Sequence, residues 1–86
     1  LAHASDKSIS VSPNPFNDFT TFYIRNNNAQ HCSFNLYDVT GKVVQRMSGI
    51  TSTEFKLERG NLVNGIYFYS IYTSEKIIES GKLIIE

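Results

Sequence analysis

Cysteine is nearly missing from this sequence. Cys32 stands alone among 86 residues, so no internal disulfide can close, and strand pairing and packing alone must hold the chain together. An excess of charge of one sign is also missing: eight basic and eight acidic side chains cancel and are scattered without runs. Nothing in that pattern draws the chain toward nucleic acid or an anionic membrane. No apolar stretch approaches the ~20 residues of a membrane-spanning helix. A signal-peptide pattern and an initial methionine are both lacking, so the sequence reads as a piece excised from a longer protein. Histidine is confined to His3 and His31, too few bases to build a nucleophilic site with its orienting partners. No catalytic residue is expected, and no enzyme.

What is present is aromatic and β-branched. The apolar share is 41%, carried by six Phe, five Tyr and many Ile, Val and Leu, which argues against disorder. A single domain of this size buries only about 60% of its unfolded surface, so its core is thin. No segment sustains a helical period, and no internal repeat stands out.

Leu1 to Lys7 is polar and aperiodic and reads as a linker to a preceding domain, with residues 8–86 forming the domain proper. Ile9 and Val11 alternate with serines in a short strand that Pro13-Asn14-Pro15 stops, and the proline geometry predicts an extended, unpaired stretch there. Phe19 to Arg25 is a second strand, ended by the triplet Asn26, Asn27, Asn28. From His31 to Val39, Cys32, Phe34 and Leu36 fall on one face and His31, Ser33, Asn35 and Tyr37 on the other. Asp38-Val39-Thr40-Gly41-Lys42 is a hairpin turn in which Asp38 holds an Asx turn, leading to a strand through Val43, Val44 and Met47. A turn near Gly49 then introduces a fifth strand, Thr51 to Leu57.

Ile66 to Thr73 is apolar on both faces and belongs in the middle of a sheet. After a reversal at Ser74-Glu75, Lys76 to Glu86 closes the chain, with Gly81 predicting a bulge or bend. About seven strands at this spacing predict an all-β fold, an immunoglobulin-like β-sandwich. Leu62, Gly65 and Tyr67 match the corner of such domains, where a tyrosine at a strand's start bonds back to nearby backbone.

The remaining candidates for chemistry are weak. His31 and Cys32 are adjacent, and neighbours in a strand point to opposite faces and cannot share a metal. Asn14, Asn17 and Asp18 supply oxygen for calcium, yet with one carboxylate among them turn formation is the better reading. No metal or cofactor is expected. Tyr23, Tyr37, Tyr67, Tyr69 and Tyr72 could stack on sugars if they lay in an exposed row.

Three segments in order carry a resemblance: Val11-Ser12-Pro13-Asn14-Pro15-Phe16-Asn17-Asp18, then Leu36-Tyr37-Asp38-Val39-Thr40-Gly41-Lys42-Val43-Val44, then Leu62-Val63-Asn64-Gly65-Ile66-Tyr67-Phe68-Tyr69. With the terminal Gly81-Lys82-Leu83-Ile84-Ile85-Glu86, the chain from Ile9 to Glu86 resembles the type A C-terminal sorting domain of the type IX (Por) secretion system. Ser12 stands where the family often has a bulky residue before Pro-Asn-Pro, and Phe22 or Ile24 where it usually has Leu or Ile.

The resemblance implies an address and no active site. It implies a covalently linked N-terminal passenger, recognition by the outer-membrane translocon after passage through the periplasm, cleavage by a sortase-like peptidase, and a secreted or cell-surface destination. Gly65, Tyr67, Lys82, Leu83, Ile84 and Ile85 are the expected recognition residues, forming or positioning the recognised surface, and an exposed edge strand offers one mode of recognition. Gly65 and Tyr67 have an equally good structural use in the turn and the corner, Leu83 and Ile85 have one as the sheet's last buried face, and Lys82 equally suits an edge charge that blocks aggregation. The main alternative is an accessory module of a secreted enzyme that binds carbohydrate or protein. A structural spacer is the other.

Overall fold

Alternation of large apolar and polar residues over four to nine positions puts one face of each segment in water and the other against a second layer, and that is the fold. The computed structural model describes residues 9–25 and 31–86. Its strands are β1 (Ile9–Ser12), β2 (Phe19–Ile24), β3 (Cys32–Tyr37), β4 (Val43–Ile50), β5 (Glu54–Glu58), β6 (Gly65–Tyr72) and β7 (Ile77–Ile85), with no helix among the described residues. The expected linker at residues 1–7 and the Asn26 to Asn28 triplet lie outside the described residues.

Two antiparallel sheets pack face to face, a three-stranded sheet in the order β1-β2-β5 and a four-stranded sheet in the order β4-β3-β6-β7. Relative to a constant-type immunoglobulin domain, the fourth strand has moved to the opposite sheet. The all-β sandwich expected from the sequence is the one found, with β6 in the interior of its sheet as its two-sided apolar pattern predicts.

The core is aromatic at its centre. Phe22 of the smaller sheet meets Phe34 edge-on at 5.1 Å and Tyr69 edge-on at 4.9 Å, both from the larger sheet, and stacks on Phe55 at 4.9 Å. Such pairs contribute about 0.5–1.5 kcal/mol each beyond burial, which matters in a core with no covalent cross-link. Ile9, Leu36, Leu57, Ile71, Leu83 and Ile85 complete it, all almost fully buried.

Three local expectations needed revision. The turn after β4 does not fall at Gly49, because β4 continues to Ile50. Cys32 pairs with Ile50 and Phe34 with Met47, so β4 carries an extra residue there, and Gly49 at φ +68° absorbs it as a bulge. The fifth strand accordingly starts later, at Glu54. Gly81 makes no bulge: the Tyr69–Gly81 pair lies in an unbroken ladder, and the shift comes at Ile71 and Tyr72. The main chain of Pro13-Asn14-Pro15, in which both X-Pro bonds are cis, joins no strand ladder, as the sequence predicts. Beyond β1 the chain leaves the smaller sheet, and Phe16 forms a parallel bridge to Ile85 of the larger one.

Candidate recognition surface

The expected recognition residues are brought together on β6 and β7, but the strand period divides them. In β7, Leu83 and Ile85 point inward and are essentially inaccessible, while Lys82 is exposed and Ile84 half-buried on the outer face. Pairing with β6 sets Phe68 beside Lys82 and Ile66 beside Ile84, and both β6 residues remain exposed, at 44% and 45%. The outer face of the closing hairpin is thus an apolar pair of neighbours around one lysine.

Gly65 and Tyr67 stand behind that face. Gly65 opens β6 opposite Ile85 at φ +153°, a conformation that L side chains rarely adopt. Tyr67 is 5% exposed and donates its hydroxyl to the Val63 carbonyl at 2.6 Å. The tyrosine corner read from the sequence is present, and it anchors the loop that leads into β6.

The sequence reading missed the clamp along the outer edge of β7. The side-chain amide of Asn14 behaves as a substitute peptide: its Nδ2 donates to the Lys82 carbonyl at 3.0 Å, and its Oδ1 accepts from the Ile84 N–H at 3.1 Å. Phe16 continues the pairing with its main chain, donating to the Ile84 carbonyl at 3.0 Å and accepting from the Glu86 N–H at 2.9 Å. Its ring is buried, which pins the segment, and the Thr20 hydroxyl holds the Pro13 carbonyl at 2.6 Å.

Arg59 closes the lower end. Its guanidinium donates to the carbonyls of Asn17 and Glu86 at 3.2 Å, to the Leu62 carbonyl at 2.9 Å, and to the Asn64 side chain. Asn17 adds a bond to the same Glu86 carbonyl at 3.1 Å. The planar fork of arginine suits such convergence of carbonyls from separate segments. Asn14 and Asn17, two of the three residues considered for calcium with Asp18, spend their amides on β7 and on the Glu86 carbonyl just beyond it. The sequence signal for the clamp was the Pro-Asn-Pro-Phe-Asn run itself, whose asparagines were read as turn formers.

The other candidates separate as well. Cys32 is buried, with its thiol pKa pushed up by that burial, while His31 is exposed beside it. No cluster of three or more His, Cys, Asp or Glu is placed to hold a metal among the described residues. The tyrosines do not form one exposed row: Tyr67 and Tyr69 are in the core, Tyr23 is exposed on β2, and Tyr37 and Tyr72 are half-buried. The hydroxyls of that last pair are tied to Ser70 and Asn35, and the bond from Ser70, then that from Asn35, holds the Tyr37 phenol below its usual range. No helix among the described residues is long and apolar enough to cross a membrane.

Against known families, residues 10–86 match the secretion system C-terminal sorting domain. The chain belongs to that family. No curated protein matches it. As a type IX sorting domain, it serves to direct a protein to the cell surface or exterior through the type IX machinery, and its family is not catalytic. The motifs that carried the resemblance are now placed: the first is the clamp, the second the β3–β4 hairpin, the third the tyrosine corner with β6.

Proposed function

We propose that the sorting domain works by presenting the outer face of its closing hairpin, Lys82 and Ile84 beside Phe68 and Ile66, to the outer-membrane translocon. Gly65, Tyr67, Leu83 and Ile85 position that face from behind. The observation that carries this reading is the split along β7: exposed Lys82 and half-exposed Ile84 alternate with side chains locked in the core, so one strand is both rigid and readable. A cation among exposed apolar neighbours has no packing use, whereas a partner with a carboxylate beside an apolar patch would satisfy both features. The passenger precedes residue 8 and crosses the periplasm with the domain. A sortase-like peptidase then removes the domain at the surface, leaving the passenger attached or released.

The test is a fusion of residues 1–86 behind a signal peptide and a fluorescent reporter, in a type IX-competent strain and a translocon-deficient one. Export in the competent strain alone is expected. Lys82→Glu should reduce export while leaving the melting transition of the purified domain in place. Reporter held in the periplasm of both strains would overturn the sorting role for this domain, and undiminished export of Lys82→Glu would overturn the assignment of the surface.

A further inference from the structure

The pairings of β3, β6 and β7 lay two rows of side chains across the outer face of the larger sheet. One row runs Tyr37, Phe68, Lys82, and the next Asn35, Ser70, Ser80. Two small serines beside two rings and a lysine leave a depression of about 450 Å³, lined by Tyr37, Phe68, Ser70, Ser80 and Lys82. A space of that size suits a ring-bearing ligand better than a single acidic side chain.

The polar side of the depression is ordered in one direction. The Tyr72 hydroxyl donates to Asn35 Oδ1 at 3.2 Å, and Asn35 Nδ2 donates to the Tyr37 hydroxyl oxygen at 3.2 Å. The Tyr37 hydrogen then has Ser70 Oγ as its acceptor, 3.1 Å away. Each hydroxyl carries a single hydrogen, so the chain ends with that of Ser70 free to donate into the depression. The Ser80 hydroxyl and the Lys82 ammonium, at the β7 side, have no partner among the described residues.

The lining therefore offers hydrogen-bond donors, one full positive charge and two aromatic walls. Neither row contains a carboxylate, whereas β5 on the opposite sheet alternates Glu54, Lys56 and Glu58. A small inorganic anion would leave the rings in water, and a neutral sugar would leave Lys82 unpaired. The ligand that uses all three features carries oxygen acceptors around a ring, an apolar C–H face and a carboxylate.

We infer that this depression binds a hexuronic acid residue of an acidic polysaccharide, with its C–H face on Phe68 and its carboxylate on Lys82. Ring oxygens accept from Ser70 and Ser80. Lys82 and Phe68 also belong to the face proposed for the translocon, so sugar and translocon compete for them. Binding to the purified domain is measured without export and stands or falls apart from it.

The experiment titrates the isotope-labelled domain with trigalacturonate, its methyl ester and a triglutamate peptide, following amide chemical shifts. Trigalacturonate should bind saturably with a Kd on the order of a millimolar, moving the amides of Tyr37, Phe68, Ser70, Ser80 and Lys82. The uncharged ester and Lys82→Gln should each weaken binding by about fivefold, and Phe68→Ala by about as much. Lys56→Gln, on the other sheet, should leave it unchanged. Both Lys82 and Phe68 are exposed, and a dispersed spectrum confirms that each variant is folded. Absence of saturable shifts at concentrations on the order of 50 mM would overturn the inference. So would shifts indifferent to Lys82→Gln and Phe68→Ala. Triglutamate binding at least as tightly as the sugar would overturn it too, by assigning the depression to an acidic peptide.

Discussion

Replacing Gly81 by alanine adds one methyl group at a point where the structure has no room for it. A Cβ built there lies 2.6 Å from the Tyr69 hydroxyl oxygen, 2.8 Å from Cζ and 3.0 Å from Cε2, against an ordinary contact of 3.4–4 Å. Gly81 is not among the glycines with positive φ, so the backbone itself accepts alanine and the conflict is purely one of space. The ring must yield by several tenths of an ångström. It cannot do so freely, because Tyr69 is 5% exposed and its ring lies 4.9 Å from that of Phe22 and 6.2 Å from that of Phe34.

Overpacking of this kind costs about 1–3 kcal/mol, and the stiffer unfolded chain returns about 0.4–1 kcal/mol. The net loss of about 1–2 kcal/mol lowers the melting temperature of a domain this size by roughly 5–15 °C. The decisive measurement is a double-mutant cycle with Tyr69→Leu, followed by thermal or urea unfolding, with an excluded osmolyte added if the leucine variant is too weak to melt cooperatively. With the ring gone, Gly81→Ala should become neutral or slightly stabilising. An equal cost of Gly81→Ala in both backgrounds would refute the claim that Tyr69 is what keeps the position a glycine.

Two further outcomes are expected. Tyr67→Phe removes the bond to the Val63 carbonyl and should cost about 1 kcal/mol in unfolding experiments and not more, because Val63 is 72% exposed and its carbonyl can rehydrate. Asp38 has its carboxyl pKa lowered below 3.8, first by the Thr40 hydroxyl and then, against an opposing desolvation, by the Lys42 and Thr40 N–H groups. A depressed folded value means that this turn stabilises the fold above the unfolded pKa and ceases to as pH falls through the folded one. The stability difference between the native chain and Asp38→Asn should therefore be constant at neutral pH and shrink below about pH 4, as followed by chemical unfolding across pH.

Strand identity was legible in this sequence wherever a half-buried period of two was clean. Cys32, Phe34 and Leu36 against Ser33, Asn35 and Tyr37 left no other register, and the burial follows that alternation residue by residue. Tyr67 was legible for a different reason: a glycine and an apolar residue at fixed spacing before it specify a corner. What failed was the reading of glycine. Gly49 and Gly81 both sit inside strands, one absorbing an extra residue and the other making space for a ring. A one-dimensional pattern contains neither the partner strand's register nor the size of the cross-strand neighbour. The clamp escaped for the same reason, since Asn14 finds its partners 68 and 70 residues away. Of the six expected recognition residues, the sequence alternation already implied that Leu83 and Ile85 would point away from Lys82 and Ile84. Placing Phe68 and Ile66 beside the latter pair required the pairing of β6 with β7.

The same edge logic runs through the whole sandwich. Its two open sheets have four edges, at β1, β5, β4 and β7, and a fold with a thin core and no disulfide has little to spare for unwanted pairing. Three edges are blunted by their own sequence. β1 is only four residues long, β5 alternates Glu54, Lys56 and Glu58 along its exposed face, and β4 is broken by the bulge at Gly49. β7 is the exception, with nine residues and the apolar run Leu83, Ile84, Ile85. It cannot be blunted in the same way if Lys82 and Ile84 are to be read on one side while Leu83 and Ile85 fill the core on the other. Every position in that stretch is already committed, so the protection has to come from elsewhere in the chain. A borrowed asparagine amide satisfies that demand, because it caps main-chain groups without altering any side chain of the strand it covers. The protection of β7 therefore comes from a segment outside the strand, the Asn14 amide together with the pinned main chain of Phe16.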